Sequence, residues 1–200
     1  MIFFFNYPDP SPSTYNKMKK IFLILLVISC GLTGQAQIEK IQFQASGLTC
    51  SMCSNAINKA LKTVPFIESV KVDLNKNIFE LIIKKNQPVD LDLIGKKVSD
   101  AGFSVAKCWI WMDFHQLKIE NDGHAIIDGT NYHFVHVKPQ TLNGEQRLQV
   151  IDRNFVMAKE FKFNSSFTSM PCYSSGLMES CCKSADGQPL GAKRIFHVTI

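Results

Sequence analysis

The stretch IEKIQFQASGLTCSMCSNAINKALKTVP at residues 38–65 changes its hydrophobic period where it passes two cysteines. Before them, apolar Ile41, Phe43 and Ala45 alternate with polar residues, which is typical of a half-buried strand. After them, apolar residues recur at the spacing of one helix face until Pro65 stops the pattern. The stretch therefore predicts a strand and then a helix, with Cys50 and Cys53 where the helix begins.

The next fifty residues predict the rest of a small α+β unit. Alternating apolar residues at 70–74 and an apolar run at 78–83 flank Asn75-Lys76-Asn77, which indicates a hairpin. Asp90 then caps a second helix that ends at Gly102, and residues 103–114 supply a last strand. The order βαββαβ predicts a ferredoxin-like domain, with two helices on one face of a four-stranded antiparallel sheet.

The cysteine pair carries the clearest chemical signal in the chain. Unpaired N–H groups and the positive end of the helix dipole favour a thiolate at a helix start. Thiolates bind soft ions, so Cys50 and Cys53 are the candidate ligands of a surface Cu(I) ion. Two ligands leave such an ion open to a partner's thiols, whereas a closed four-ligand zinc site would retain its metal.

Residues 38–106 resemble the heavy-metal-associated domain family, which includes copper chaperones and a periplasmic mercury-binding protein. The resemblance rests on GLTCSMC at 47–53, on the βαββαβ order and on Asp100-Ala101-Gly102-Phe103. It implies that Cys50 and Cys53 hold the metal and that Phe103 shields it, with Cu(I) the favoured ion and other soft heavy metals as alternatives. Leu48 stands where the family usually has Met, and an apolar side chain suits that buried supporting position.

Two other readings of the same cysteine pair stay open. A C-x-x-C pair at a helix start also describes a thiol-disulfide oxidoreductase, although here a hairpin follows the helix and Ser51-Met52 lies between the cysteines. A purely structural disulfide is the third reading. Oxidation of Cys50 and Cys53 to a disulfide would block metal binding until the pair is reduced.

Composition limits the remaining function classes. The 200 residues carry 22 Lys and Arg against 17 Asp and Glu, an excess too small to indicate a nucleic-acid partner. No G-x-S-x-G elbow, phosphate loop, H-E-x-x-H helix or haem motif is present in the sequence, so we expect a protein that is not an enzyme.

The N-terminal residues predict export. Residues 18–36 combine Met18-Lys19-Lys20, an uncharged apolar run and small residues near Ala36, the layout of a signal peptide, and residues 1–17 read as an upstream extension. Cleavage after Ala36 would release the chain from Gln37. Val27-Ile28-Ser29-Cys30 also resembles a lipobox, which would attach the protein to a membrane through lipid on Cys30. Either route predicts a periplasmic or other extracytoplasmic location.

Residues 115–200 predict a small β-rich C-terminal domain after a heavy-metal-associated domain at 38–114. Turn signals such as Asp128-Gly129 and Asn143-Gly144 separate short apolar runs. The predicted strands are 117–120, 125–127, 132–138, 147–151, 155–163 and 195–200.

A second group of sulfur-bearing residues lies near the C-terminus. It consists of Met170, Cys172, Met178, Cys181 and Cys182. A loop disulfide, with one thiol left to pair with Cys108 or stay reduced, is favoured over a second Cu(I) site, and the connectivity stays open. The histidines suggest no ligand set: His197 is expected to face solvent, His133 and His136 are expected on opposite strand faces, and spacing identifies no partner for His115 or His124.

The sequence as a whole predicts an exported protein that captures Cu(I) or hands it over through Cys50 and Cys53. The implied partners are the metal ion and a metal-transporting membrane protein or another thiol-bearing acceptor. A sensor whose C-terminal region binds protein is a further alternative.

Overall fold

The computed structural model describes residues 37–48, 50–178 and 192–200. Residues 38–65 form the predicted strand followed by the predicted helix. The first six elements are β1 (Ile38–Ser46), α1 (Ser51–Leu61), β2 (Ile67–Asp73), β3 (Ile78–Ile83), α2 (Leu91–Asp100) and β4 (Ser104–Ile119). The remaining ones are β5 (Gly123–Ile127), β6 (Thr130–Phe134), β7 (Gln140–Val150), α3 (Ala158–Asn164), a 3-10 turn (Ser165–Phe167), α4 (Cys172–Ser175) and β8 (Ile195–Thr199). The fold is α+β with one large sheet.

Apolar stripes fix the two long helices on the sheet. Ile57 and Leu61 of α1 and Val98 of α2 are fully buried. Asp90 caps α2 as expected, since its carboxylate accepts a hydrogen bond from the Leu93 N–H at 3.1 Å. These contacts hold the start of α1, and with it the cysteine pair, at one end of the sheet.

All eight strands belong to a single sheet in the order β2-β3-β1-β4-β7-β8-β6-β5. Neighbouring strands are antiparallel except β6 and β8, which are parallel. β4 is 16 residues long and pairs with β1 on one side and β7 on the other. The predicted boundary between residues 114 and 115 thus lies inside a strand, and the division into domains 38–114 and 115–200 stays a prediction.

A second layer covers the C-terminal part of the sheet. Its apolar cluster consists of Val135, Ile151, Val156 and Tyr173, with Phe161 and Phe167 packed against it. The Tyr173 hydroxyl lies 3.1 Å from the carbonyl oxygens of both Ile151 and Phe161, and these two acceptors share its single O–H donor. This contact fixes α4, which carries Cys172, against the sheet.

The predicted strand at 155–163 is wrong, because residues 158–164 form α3. Phe155 and Val156 are buried just before the helix, while Phe161 is half-buried and Phe163 is exposed, so the apolar residues do not follow a two-residue period. Ala158, Lys159 and Glu160 favour a helix.

The predicted turn at Asn143-Gly144 is also wrong, because both residues lie within β7. Gly144 has φ +69° and pairs with Phe114, next to a register shift in β4 where Gln116 has φ +54°. The register shift is a β-bulge whose extra residue lies in β4, and Gly144 pairs with the residue at its edge.

Several expectations concern residues outside the described ranges. These are the extension 1–17, the signal peptide 18–36, Cys30, Cys181 and Cys182. Within the described ranges, no helix has the length and apolar character needed to cross a membrane.

Candidate metal centre

The loop between β1 and α1 places the cysteine pair. Cys50 is the residue before the first helical turn, with extended backbone (φ −156°), and its carbonyl accepts hydrogen bonds from the N–H groups of Cys53 at 3.1 Å and Ser54 at 3.4 Å. Gly47 turns the chain out of β1 with φ +83°, a conformation that side chains disfavour. The local chain path thus brings both cysteines to the exposed start of α1.

The two sulfurs converge. Cys50 Sγ lies 3.1 Å from Cys53 Sγ, Cys50 is exposed and Cys53 is half-buried. At a metal–sulfur distance of about 2.3 Å, as in zinc thiolates, linear coordination needs sulfurs about 4.6 Å apart. An ion bound between them therefore requires the sulfurs to separate by about 1.5 Å, which rotation of the exposed Cys50 side chain can supply.

Apolar side chains support the loop from below. Leu48 and Phe103 are half-buried and pack against the main core. A Cβ on Gly47 would lie 3.8 Å from Phe103 Cδ1, so the aromatic ring sits directly beside the loop. Met52, between the cysteines, is 80% exposed and makes little contact with the protein.

The comparisons with known proteins bear on this part of the chain. Residues 42–104 match the family model of the heavy-metal-associated domain, which confirms the resemblance predicted for residues 38–106. The probable copper-transporting ATPase HMA5 of Arabidopsis thaliana is 33% identical over 69 residues, which are 34% of this chain and 7% of that ATPase. The chain therefore spans only a small part of that relative's length.

Two solved structures are similar to part of the chain. A copper binding domain from HMA7, a P-type ATPase, is 32% identical, with a TM-score of 0.31, and the match covers 36% of this chain and 93% of that one. The yeast copper transporter domain CCC2A, described in apo and Cu(I)-loaded states, is 26% identical with the same TM-score and the same coverage.

Two other cysteines, Cys108 and Cys172, are buried rather than exposed. Cys108 is buried in β4 and in no disulfide. Cys172 is buried at the start of α4 with Met178 and Ile195, and Met170 packs against this group. Its Sγ lies 3.7 Å from His133 Nδ1, a contact between residues 39 positions apart that no spacing in the sequence indicates.

The prediction that His197 faces solvent is wrong. Its side chain is fully buried, its Nδ1 lies 3.0 Å from Asp152 Oδ1, and its backbone N–H donates to Asp152 Oδ2 at 2.8 Å. β8 lies between β7 and β6, and the Tyr173 ring packs edge-on against His197 at 5.1 Å. Both faces of β8 are therefore covered, so the alternation along the strand does not separate core from solvent.

A turn signal could have revealed a partner for His124. Asp128 and Gly129 both have positive φ and form a two-residue connection between β5 and β6. Counting outward from that turn pairs residue 127 with 130 and residue 124 with 133, as the structure shows. The exposed His136 lies apart from this pair, stacked on Phe167 with ring centroids 3.6 Å apart.

Proposed function

We propose that this protein binds Cu(I) through Cys50 and Cys53 and passes it to a thiol-bearing acceptor. The observation that carries the proposal is the pair of sulfurs 3.1 Å apart at an exposed helix start. Two thiolates are a ligand set that suits Cu(I), and a two-ligand ion leaves room for an incoming sulfur. The match of residues 42–104 to the heavy-metal-associated domain and the copper-related names of its relatives support the same ion.

Transfer follows from the exposure of the site. An acceptor thiolate approaches the ion from solvent, forms a third metal–sulfur bond and displaces first one cysteine of this chain and then the other. The exposed Met52 beside the pair offers a contact for the acceptor rather than a covering side chain. The role is that of a carrier and requires no chemical conversion of a substrate. A metal-transporting membrane protein is the acceptor class that fits.

Export is part of the proposal. Residues 18–36 would direct the chain out of the cytoplasm, and it would then be released from Gln37 or anchored by lipid on Cys30. The mass of the mature N-terminus, measured from fractionated cells, decides between the two routes. A chain that retains residues 18–36 in the cytoplasm would contradict export.

The metal proposal is tested by replacing both cysteines. The Cys50→Ser/Cys53→Ser variant should lose one equivalent of bound Cu(I) per chain relative to the unchanged protein, measured under reducing, anaerobic conditions against a chromophoric Cu(I) chelator. Met52→Leu is the matched control, because it removes the intervening thioether while keeping an apolar side chain, and it should bind as the unchanged protein does.

Unchanged copper stoichiometry in the double variant would overturn the proposal. Insulin reduction that depends on Cys50, without copper binding, would instead favour the thiol-disulfide oxidoreductase reading.

A further inference from the structure

Three histidines stand side by side on neighbouring strands. His124 of β5 is opposite His133 of β6, and His133 is opposite His197 of β8. Directly opposed residues project from the same face of a sheet. The rings meet accordingly: His124 stacks on His133 with centroids 4.5 Å apart, and His197 meets His133 edge-on at 5.1 Å.

Cys172 reaches the same face from α4. Its Sγ lies 3.7 Å from His133 Nδ1, and one donor atom each from His124, His133 and Cys172 all lie within 4.8 Å of one another. Donors around a tetrahedral ion, at about 2.0 Å for nitrogen and about 2.3 Å for sulfur, lie roughly 3.3 to 3.5 Å apart. Small side-chain rotations therefore bring this trio to coordination distance.

Carboxylates hold two of the rings from behind. Asp122 Oδ1 lies 3.1 Å from His133 Nε2, and Asp152 Oδ1 lies 3.0 Å from His197 Nδ1. Histidines that bind metals usually donate their second ring N–H to such an acceptor, which fixes the tautomer and leaves the other nitrogen for the ion. His133 Nδ1, on the Cys172 side, is then the coordinating atom.

The His197 ring lies beside the proposed ligands, with its centroid 5.1 Å from that of His133. The buried Nε2 of His197 has no hydrogen-bond partner within the described ranges. Buried polar atoms without partners are uncommon in native proteins, so this nitrogen is a second unusual feature next to His133.

The charge and ligand types favour a copper or zinc ion. Two neutral imidazoles and one thiolate carry one negative charge, and the Asp122 carboxylate behind His133 adds a second. Thiolate ligands suit Cu(I) and Zn(II), and imidazole suits zinc and copper as well. Because Cys172 is fully buried, a small ion fits its position better than an organic substrate that would need to reach the sulfur.

We propose that His124, His133 and Cys172 form a second metal site, for a copper or zinc ion, separate from the Cys50 and Cys53 pair. His124 is exposed and marks the side from which the ion enters. The proposal does not depend on the proposed function, because the two sites share no residue.

Metal analysis of the Cys50→Ser/Cys53→Ser variant tests the second site. The reduced variant is incubated anaerobically with Cu(I) in one arm and Zn(II) in the other, dialysed, and analysed for bound metal. We expect one equivalent per chain in at least one arm, and a loss of at least tenfold in affinity when His124→Ala or Cys172→Ser is added. His115→Ala, which removes an exposed histidine of β4, is the matched control and should bind normally.

Stability provides a second readout. The bound ion should raise the Tm of the double variant, because it joins β5, β6 and α4 only in the folded chain. The rise should disappear with His124→Ala, whose exposed position allows the substitution without opening the core.

Three outcomes would overturn the second site. The first is a folded double variant that binds neither ion. The second is binding that persists unchanged with both His124→Ala and Cys172→Ser. The third is a Cys172 disulfide whose reduction brings no metal uptake, which would leave the predicted loop disulfide as the role of this cysteine. Failure of the first site looks different, since the unchanged protein and the double variant would then bind the same number of ions.

Discussion

At the scale of single residues, the surroundings of each cysteine decide how reactive its thiol is. Cys50 is exposed at the start of α1, whereas Cys108 is 1% exposed in the middle of β4. Burial, and to a smaller extent the Asp152 carboxylate, raises the pKa of the Cys108 thiol well above its ordinary value. Only the thiolate is a strong nucleophile and metal ligand, so Cys108 is chemically silent.

Alkylation should separate these two cysteines. In the reduced, folded protein at pH 8, we expect iodoacetamide to modify Cys108 more than about tenfold more slowly than Cys50, because a raised pKa keeps the buried thiol protonated. Mass spectrometry of the peptides gives the two rates. In concentrated urea Cys108 should react readily, and equal rates in the folded protein would contradict the assignment.

At the scale of elements, one arginine joins α2 to the C-terminal strands. Arg194 precedes β8 and binds Asp92 of α2 with two nitrogens, at 2.7 and 3.0 Å. It also donates to Asp152 at 3.1 Å, and the side chain of Asp152 is only 6% exposed. Asp152 in turn contacts His197, so this arginine indirectly supports the three adjacent histidines of β5, β6 and β8.

Arg194→Met should destabilise the fold by about 3 kcal/mol, because it leaves the buried Asp152 carboxylate without its cation. Urea unfolding at pH 7 measures the change. Lys96→Met is the matched control, since it breaks an exposed ion pair with Asp100 on the same helix and should cost at most about 0.5 kcal/mol. Equal changes in the free energy of unfolding in the two variants would show that the Arg194 contacts stabilise the fold no more than an exposed ion pair does.

Elements were predictable where the residues that define them lie close together in the sequence. The strand before Gly47, the helix after Cys53 and the cap at Asp90 depend on local periodicity and turn residues, and residues 38–106 reveal them directly. β8 lies within the strand predicted at 195–200, but its parallel pairing with β6, more than 60 residues away, was not predicted. No local pattern encodes that pairing, and the burial of His197 follows from it.

The same distinction applies to the candidate sites. Cys50 and Cys53 are three residues apart, so one turn of chain brings their sulfurs together and spacing alone identifies the pair. The trio of His124, His133 and Cys172 is assembled by a hairpin and by the packing of Tyr173 under the sheet. The sequence reveals the pairing of His124 with His133 through the hairpin turn, but it does not reveal that Cys172 joins them.

At the scale of the whole molecule, one sheet links the heavy-metal-associated part to the rest. β4 pairs with β1 and β7 along most of its length, and the Phe155 ring packs on α2 close enough that a Cβ on Gly95 would lie 3.4 Å from it. The described residues form one compact unit. The core therefore continues across residue 114.

We expect the reduced protein to unfold in a single cooperative transition. Fluorescence of Trp109 and Trp111 reports on β4, and hydrogen exchange of the β6 and β8 amides reports on the far end of the sheet. Their urea midpoints should coincide, because neither part keeps its buried surface once the other unfolds. Two separate midpoints would instead support independent domains at 38–114 and 115–200.

The length of the two-residue connection at Asp128 and Gly129 decides which side chains of β5 face Cys172. Adding one amino acid there would slide β5 past β6 by a single position, and alternate side chains of a strand point in opposite directions. The imidazole of His124 would then swing away from Cys172 even though every donor atom remained in the gene product. If the protein keeps its function with an insertion at this turn, the cluster of His124, His133 and Cys172 is not needed for that function. This test requires no added metal.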